Sequence, residues 1–201
     1  MNFMPIMIKI DNLPCLIVGG GKIAFRKVIT LLRFRANITV ISDKLDKGLV
    51  KLQAKKLIKW KQKKFSILDL VPYKLVIAAT DDYKKNKKIC DWAGKLGILA
   101  NSVDSPEASG FIFPATHLAF PLTISISTQG LCPALSRKIK REIAAQYGKD
   151  YGKYIERLNV LRRYVKTIEP DFNKRKKILH RLVNNELEGM SGVNEIILKE
   201  E

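Results

Sequence analysis

Short apolar runs alternate with helical spacing along the first half of this chain. Residues 15–18 and 75–79 are unbroken apolar stretches, and 38–42 is short and β-branched; all three read as buried strands. Residues 98–102 read as another strand, and 58–61 as a short one with alternating faces. Between them, 23–34, 46–55 and 83–96 have helical spacing. In the first helix Ala24, Val28, Leu31 and Leu32 share one face. Thr80-Asp81-Asp82 opens the third helix and Gly97 closes it. Residues 5–10 alternate weakly, as an edge strand would. Strands alternating with helices predict an α/β domain, with a mostly parallel sheet and helices on both faces.

After residue 110 the pattern changes. Residues 111–115 read as a strand leading out of the first domain, and 122–127 alternate strictly, giving a half-buried strand. Pro133 suits the first turn of a helix reaching about residue 147. Residues 148–152 read as a hinge. Two further helices, 154–168 and 172–187, are separated by Glu169-Pro170-Asp171, and the residues from 189 on read as frayed.

The first strand runs into Gly19-Gly20-Gly21-Lys22-Ile23-Ala24, which fits the spacing G-x-G-x-x-A at Gly19, Gly21 and Ala24. In a strand–turn–helix unit the first glycine makes the turn. The second lets backbone approach a pyrophosphate, and the small third residue lets the helix lie close on the sheet. The helix head offers free N–H groups and a positive dipole end. This predicts a Rossmann-type dinucleotide site with Gly19, Gly20, Gly21, Lys22 and Ile23 at the phosphates. Asp43, after the second strand, either accepts from the ribose hydroxyls of NAD or caps the helix beginning near Asp46. Lys44 beside it leaves room for a 2′-phosphate, so NAD is preferred over NADP without being fixed. Ligands bind at the carboxyl ends of parallel strands, which adds Thr80 and the segment after Asn101. There Asp104 is either a general base beside a nicotinamide or an Asp that turns the chain before Pro106.

Composition narrows the classes. Hydrophobic content of 46% and charged content of 28% suit a globular protein, and no apolar run approaches a membrane span of ~20 residues. Lys9, Asp11 and Pro14 interrupt the N-terminus, unlike a signal peptide, so a cytoplasmic location is expected. Cys15, Cys90 and Cys132 have no paired spacing, which predicts buried free thiols and no metal site. The net charge is +18, with 26 Lys+Arg against 11 Asp+Glu in residues 1–150. No aromatic ladder interleaves with the lysines, so no nucleic-acid signature accompanies the charge. Compositional drift explains it best, ahead of an acidic substrate.

From Asp104 onward the residues become specific. Four co-ordered segments carry a resemblance: 15–24 with Arg26-Lys27; 78–82; 101–106 through Phe111-Ile112-Phe113-Pro114-Ala115; and Pro121-Leu122 through 126–135. The chain resembles the siroheme synthase N-terminal family, the precorrin-2 dehydrogenase/sirohydrochlorin ferrochelatase proteins, and is similar to that module alone, without the methyltransferase domain that some members carry. The resemblance implies NAD-dependent oxidation of precorrin-2 to sirohydrochlorin, with Asp104 as the catalytic residue. In some relatives Fe²⁺ then enters as a substrate. It implies nucleotide contacts at 19–23 and at Asp43-Lys44. It also implies a homodimer with a nucleotide domain at 1–113, a dimerisation segment at 114–147 and a helical module at 148–201. Arg137, Lys138 and Arg141 become candidates for the carboxylate arms of the tetrapyrrole. His117 is a further residue near the expected cleft. Thr128 stands where some relatives have a modified serine. Other readings are a different Rossmann NAD(P)-dependent oxidoreductase, or a non-enzymatic, basic NAD-sensing or nucleic-acid-binding protein.

Overall fold

In a computed structural model, residues 3–184 are described, and they form two compact units divided between Phe113 and Pro114. The first unit is a five-stranded parallel sheet in the order β3-β2-β1-β4-β5. Its strands are β1 (Pro14–Val18), β2 (Asn37–Ile41), β3 (Lys59–Lys61), β4 (Leu75–Ala78) and β5 (Leu99–Ser102). The three central strands, covered on both faces, carry the apolar runs. One layer packs Cys15, Ile17, Ile38, Val40 and Ile77 against Ala24, Val28 and Leu31 of α1 (Lys22–Leu32) and Leu49 of α2 (Lys47–Ala54). The other packs Leu16, Val18, Val76 and Ala78 against Leu70 of a 3₁₀ turn, Ile67–Leu70. Ile89, Cys90 and Ala93 of α3 (Tyr83–Lys95) complete that layer. Crossover helices on both faces are what a parallel sheet requires.

The second unit pairs β6 (Ala115–Ala119) antiparallel with β7 (Leu122–Ile126) and adds α4 (Pro133–Gln146), α5 (Lys149–Ile168) and α6 (Phe172–Val183). Val165, Ile178 and Leu182 form a separate small core between α5 and α6.

Some expectations fail for physical reasons. Residues 5–10 form no strand. Met4, Ile6, Met7 and Ile8 are exposed, so their alternation has no buried face to serve. Residues 111–114 are irregular, and the strand begins at Ala115. Pro114 has no N–H to give a ladder, while the Phe111 and Phe113 rings turn onto each other, 5.3 Å apart, and onto the α1-side core. Residues 148–152 are no hinge: Gly148 caps α5 and Gly152 lies buried inside it. Cys132 is exposed, unlike Cys15 and Cys90. Residues 185–187 of the expected last helix, and those from 189 on, lie outside the described residues.

Gly152 is needed for contact. A Cβ there would stand 2.3 Å from the Phe120 carbonyl oxygen and 3.2 Å from that of Ala119. Helix propensity alone would make Gly152→Ala stabilising by ~0.5–1 kcal/mol. The clash reverses the sign: chemical denaturation should show a loss of more than ~1 kcal/mol. An unchanged or raised midpoint would refute this packing.

Candidate active site: a glycine cradle and an anchored carboxylate

At the carboxyl edge of the sheet, backbone hydrogen bonds continue one residue past the strands. Gly19 N donates to Ile41 O at 2.9 Å, Ala79 N to Val18 O at 2.8 Å, and Val103 N to Ala78 O at 3.1 Å. Gly19, Ala79 and Val103 therefore sit side by side. Asp104 leaves the sheet two strand spacings from β1, about 10 Å.

The three glycines do different jobs. Gly19 has φ +119°, and a Cβ on it would meet Ala79 O at 2.1 Å. Gly20 lies against the chain after β2, where a Cβ would meet Lys44 O at 1.9 Å and Ser42 Oγ at 2.6 Å. Its own carbonyl accepts from Asp46 N at 2.7 Å. Gly21, by contrast, has nothing within 4 Å of its would-be Cβ. It is the N-cap of α1 and has no side-chain cap, whereas Asp46 caps α2 and Asp82 caps α3. The N–H groups of Gly21, Lys22 and Ile23 thus face open space at a positive helix end. Ala24 is fully buried on the sheet. These residues fit a dinucleotide pyrophosphate, since the protein supplies no cap of its own and leaves room for one.

Asp43 and Lys44 are exposed at the end of β2, beside this cradle. The capping alternative for Asp43 is wrong, because Asp46 fills it, with its Oδ1 accepting from Gly48 N at 2.9 Å.

Asp104 is exposed yet held. Ser102 Oγ donates to its Oδ1 at 2.5 Å and Asn86 Nδ2 to its Oδ2 at 2.8 Å. Both donors are buried: Asn86 is 0% and Ser102 4% exposed. Asn86 also grips Thr80 at the end of β4. Its Oδ1 accepts from Thr80 N at 3.0 Å and from Thr80 Oγ1 at 2.7 Å, and its Nδ2 donates to Thr80 O at 3.0 Å. The loop beyond Asp104 is pinned by Ser109, whose hydroxyl accepts from Ser102 N at 2.9 Å and donates to Ser105 O at 2.8 Å. A carboxylate offers about four lone-pair sites, so two remain for a substrate.

Sequence reading missed Asn86 and Ser102. Asn86 carried a signal: it takes the first place in the apolar stripe Asn86, Ile89, Cys90, Ala93 of α3. A polar residue in a core position needs partners. Ser102 had no such mark.

Comparison with known proteins now adds to the geometry. Residues 6–115 match the family described as "Putative NAD(P)-binding", and residues 120–146 match "Sirohaem biosynthesis protein central". The chain belongs to this NAD(P)-binding family. The resemblance to the siroheme synthase N-terminal family is borne out as well. Siroheme synthase of Methylococcus capsulatus is 35% identical over 90% of this chain and 38% of its own length. Siroheme synthase 3 of Aeromonas hydrophila subsp. hydrophila is 34% identical over 91% and 39%. The chain therefore spans less than two fifths of these relatives. The solved structure of SirC, precorrin-2 dehydrogenase, superposes with a TM-score of 0.74 over 98% of both chains at 22% identity, a likeness of fold.

Within the NAD(P)-binding unit, Lys27 of α1 holds its ammonium 4.0 Å above the Phe113 ring. Burial first, and then Arg26, pushes its pKa down to about 8. Arg137, Lys138 and Arg141 are exposed on α4 in the second unit, where Lys138 meets Glu142 at 3.9 Å. His117 Nε2 lies 2.6 Å from Tyr147 O, a contact internal to that unit. Among the described residues no three His, Cys, Asp or Glu side chains gather as a metal site, and no helix is long and apolar enough to cross a membrane.

The open cradle gives one prediction. Gly21→Asp should cap α1 and leave the melting temperature unchanged or raised, because Asp is a better N-cap than Gly. Its charge should repel a pyrophosphate, lowering NAD⁺ affinity about tenfold or more by calorimetry. Unchanged affinity would contradict pyrophosphate binding there.

Lys27 gives another. In the fold it loses its proton near 8, against an ordinary 10.5, so between those values the unfolded state binds more protons. Stability should rise with pH across that window. Cys15 and Cys90 oppose it: burial raises both thiols from 9.0 to about 11, so their contribution falls away from pH 9 to 11. Lys27→Met should stabilise most below pH 8 and lose that gain by about pH 10, read by denaturant titration. A difference independent of pH would refute it.

Proposed function

We propose that this chain is an NAD-dependent dehydrogenase that oxidises precorrin-2 to sirohydrochlorin. The observation that carries this reading is the ionisable, solvent-facing Asp104, fixed by two buried donors on the same sheet edge as an uncapped, glycine-lined helix head. The siroheme synthase relatives supply the substrate class.

Gly21, Lys22 and Ile23 would hold the pyrophosphate of the dinucleotide, and Asp43 would accept from its ribose hydroxyls. An acid at that place favours NAD over NADP. When bound, the nicotinamide supplies a hydride acceptor. The oxidation removes two electrons and two protons from the tetrapyrrole. One hydrogen leaves as hydride, and Asp104 takes the remaining proton on its carboxylate and passes it to water. Asn86 and Ser102 keep that carboxylate in one orientation. The two reacting partners need only be placed on either side of one bond system, which is a positioning task.

Arg137, Lys138 and Arg141 are proposed to meet the carboxylate arms of the substrate, whose charge the +18 chain attracts over distance. The second unit is proposed as the dimerisation segment and helical module of a homodimer. Fe²⁺ insertion into sirohydrochlorin would use Asp104 again, as acceptor of the pyrrole protons, with iron as substrate.

The test is NADH formation from NAD⁺ and precorrin-2. Asp104→Asn should lower kcat/KM by about 10²- to 10⁴-fold and leave NAD⁺ affinity within about twofold. A variant as active as the parent, or a parent that forms no NADH, would overturn the proposal.

A further inference from the structure

We propose that Asn86 is a positioning residue that holds the Asp104 carboxyl in one orientation both before and after it takes up a proton. Groups with a single hydrogen-bonding role fix the amide. A backbone N–H can only donate, so the Asn86 atom facing Thr80 N at 3.0 Å is the carbonyl oxygen. A backbone carbonyl can only accept, so the atom facing Thr80 O at 3.0 Å is the amide nitrogen. Two independent partners thus fix the amide orientation. The nitrogen that remains toward Asp104 Oδ2, at 2.8 Å, can only donate. Oδ2 is therefore an acceptor in both charge states of the carboxyl, and a proton cannot sit on its Asn86-facing lone pair.

The other oxygen has a different neighbour. Oδ1 accepts from the Ser102 hydroxyl. A hydroxyl can donate to the ionised carboxylate or turn and accept from the protonated one. Protonation at Oδ1, or at the free lone pair of Oδ2, thus leaves the Asn86 contact in place, while the Ser102 contact is able to reverse. The same amide clamps Thr80 at the end of β4. The proton-accepting carboxylate and the adjoining strand end are thereby held by one fully buried side chain.

The other acidic side chains on these elements are Asp81 and Asp82 at the head of α3, Asp91 along it and Glu107 in the loop; α3 also carries Tyr83, Cys90 and Lys95. Burial, then Asp91 and Asp104, raise the Cys90 thiol to about 11, so it stays neutral through the range tested. Asp91 is paired with Lys87 at 3.0 Å, and α3 also carries Lys84, Lys85 and Lys88.

The kinetic test uses Asn86→Asp and rests on the dehydrogenase reading. The introduced carboxyl can replace the amide only while its oxygen facing Asp104 keeps a proton to donate. The pH profile of kcat/KM should therefore acquire a new descending limb, between about pH 5 and 8, where that proton is lost. A merely structural role would scale the profile and leave its shape unchanged, and that result would overturn the inference. A second measurement needs neither substrate nor variant. In the unsubstituted chain, NMR hydrogen exchange should find the Asn86 side-chain N–H protected both above and below the titration of the Asp104 carboxyl. Loss of protection on the acid side would show that the Asn86 bond breaks when the carboxyl is protonated and would overturn the inference. A parent inactive on precorrin-2 defeats the functional reading alone, and the exchange measurement still decides this one.

Discussion

The head of α1 is open because two glycine backbones lie where no side chain fits. A Cβ on Gly19 would stand 2.1 Å from Ala79 O, and one on Gly20 1.9 Å from Lys44 O. These close approaches bring the ends of β1, β2 and β4 together, and α1 then starts at Gly21, which has no side chain to cap it. The positive helix end then faces outward beside the sheet edge. The buried Ala24 keeps the helix close enough for this to hold. The proposed phosphate site would thus be a consequence of backbone packing, and anion binding there would need no charged side chain.

The second half of the site follows from the same edge. Once β4 and β5 end in register, Thr80 and Asp104 leave the sheet as neighbours, and one buried amide can reach both. Burying an amide is costly unless its bonds are made, and all of these are. The result is a carboxylate that is exposed to solvent yet has few orientations, as its proposed general-base role would demand. By contrast, Oδ1 of buried Asn101, next to Ser102, has no hydrogen-bond partner among the described residues.

Much of this was legible because it is periodic. The doubly covered strands announce themselves as apolar runs, and the stripe Ala24, Val28, Leu31 of α1 is buried as its spacing requires. What was not legible depends on tertiary partners. Phe111 to Pro114 has strand-like composition, but its rings pack on each other and Pro114 interrupts any ladder. Gly152 resembles a flexible point, yet it is a contact point inside α5. Asp43 and Asp46 are equally good caps by type, and only the path of the chain past Gly20 selects Asp46. Asp104 stood out through a family resemblance, while Asn86, on which its geometry depends, stood out only as a polar residue in an apolar stripe.

The nucleotide at the glycine cradle and the Asp104 carboxylate are proposed to share one cavity. Backbone amide shift mapping as NAD⁺ is added decides this. The largest changes are expected at Gly20 to Ile23, together with changes at Val103 to Ser105. Changes confined to the second unit, or at the cradle with none around Asp104, would contradict it.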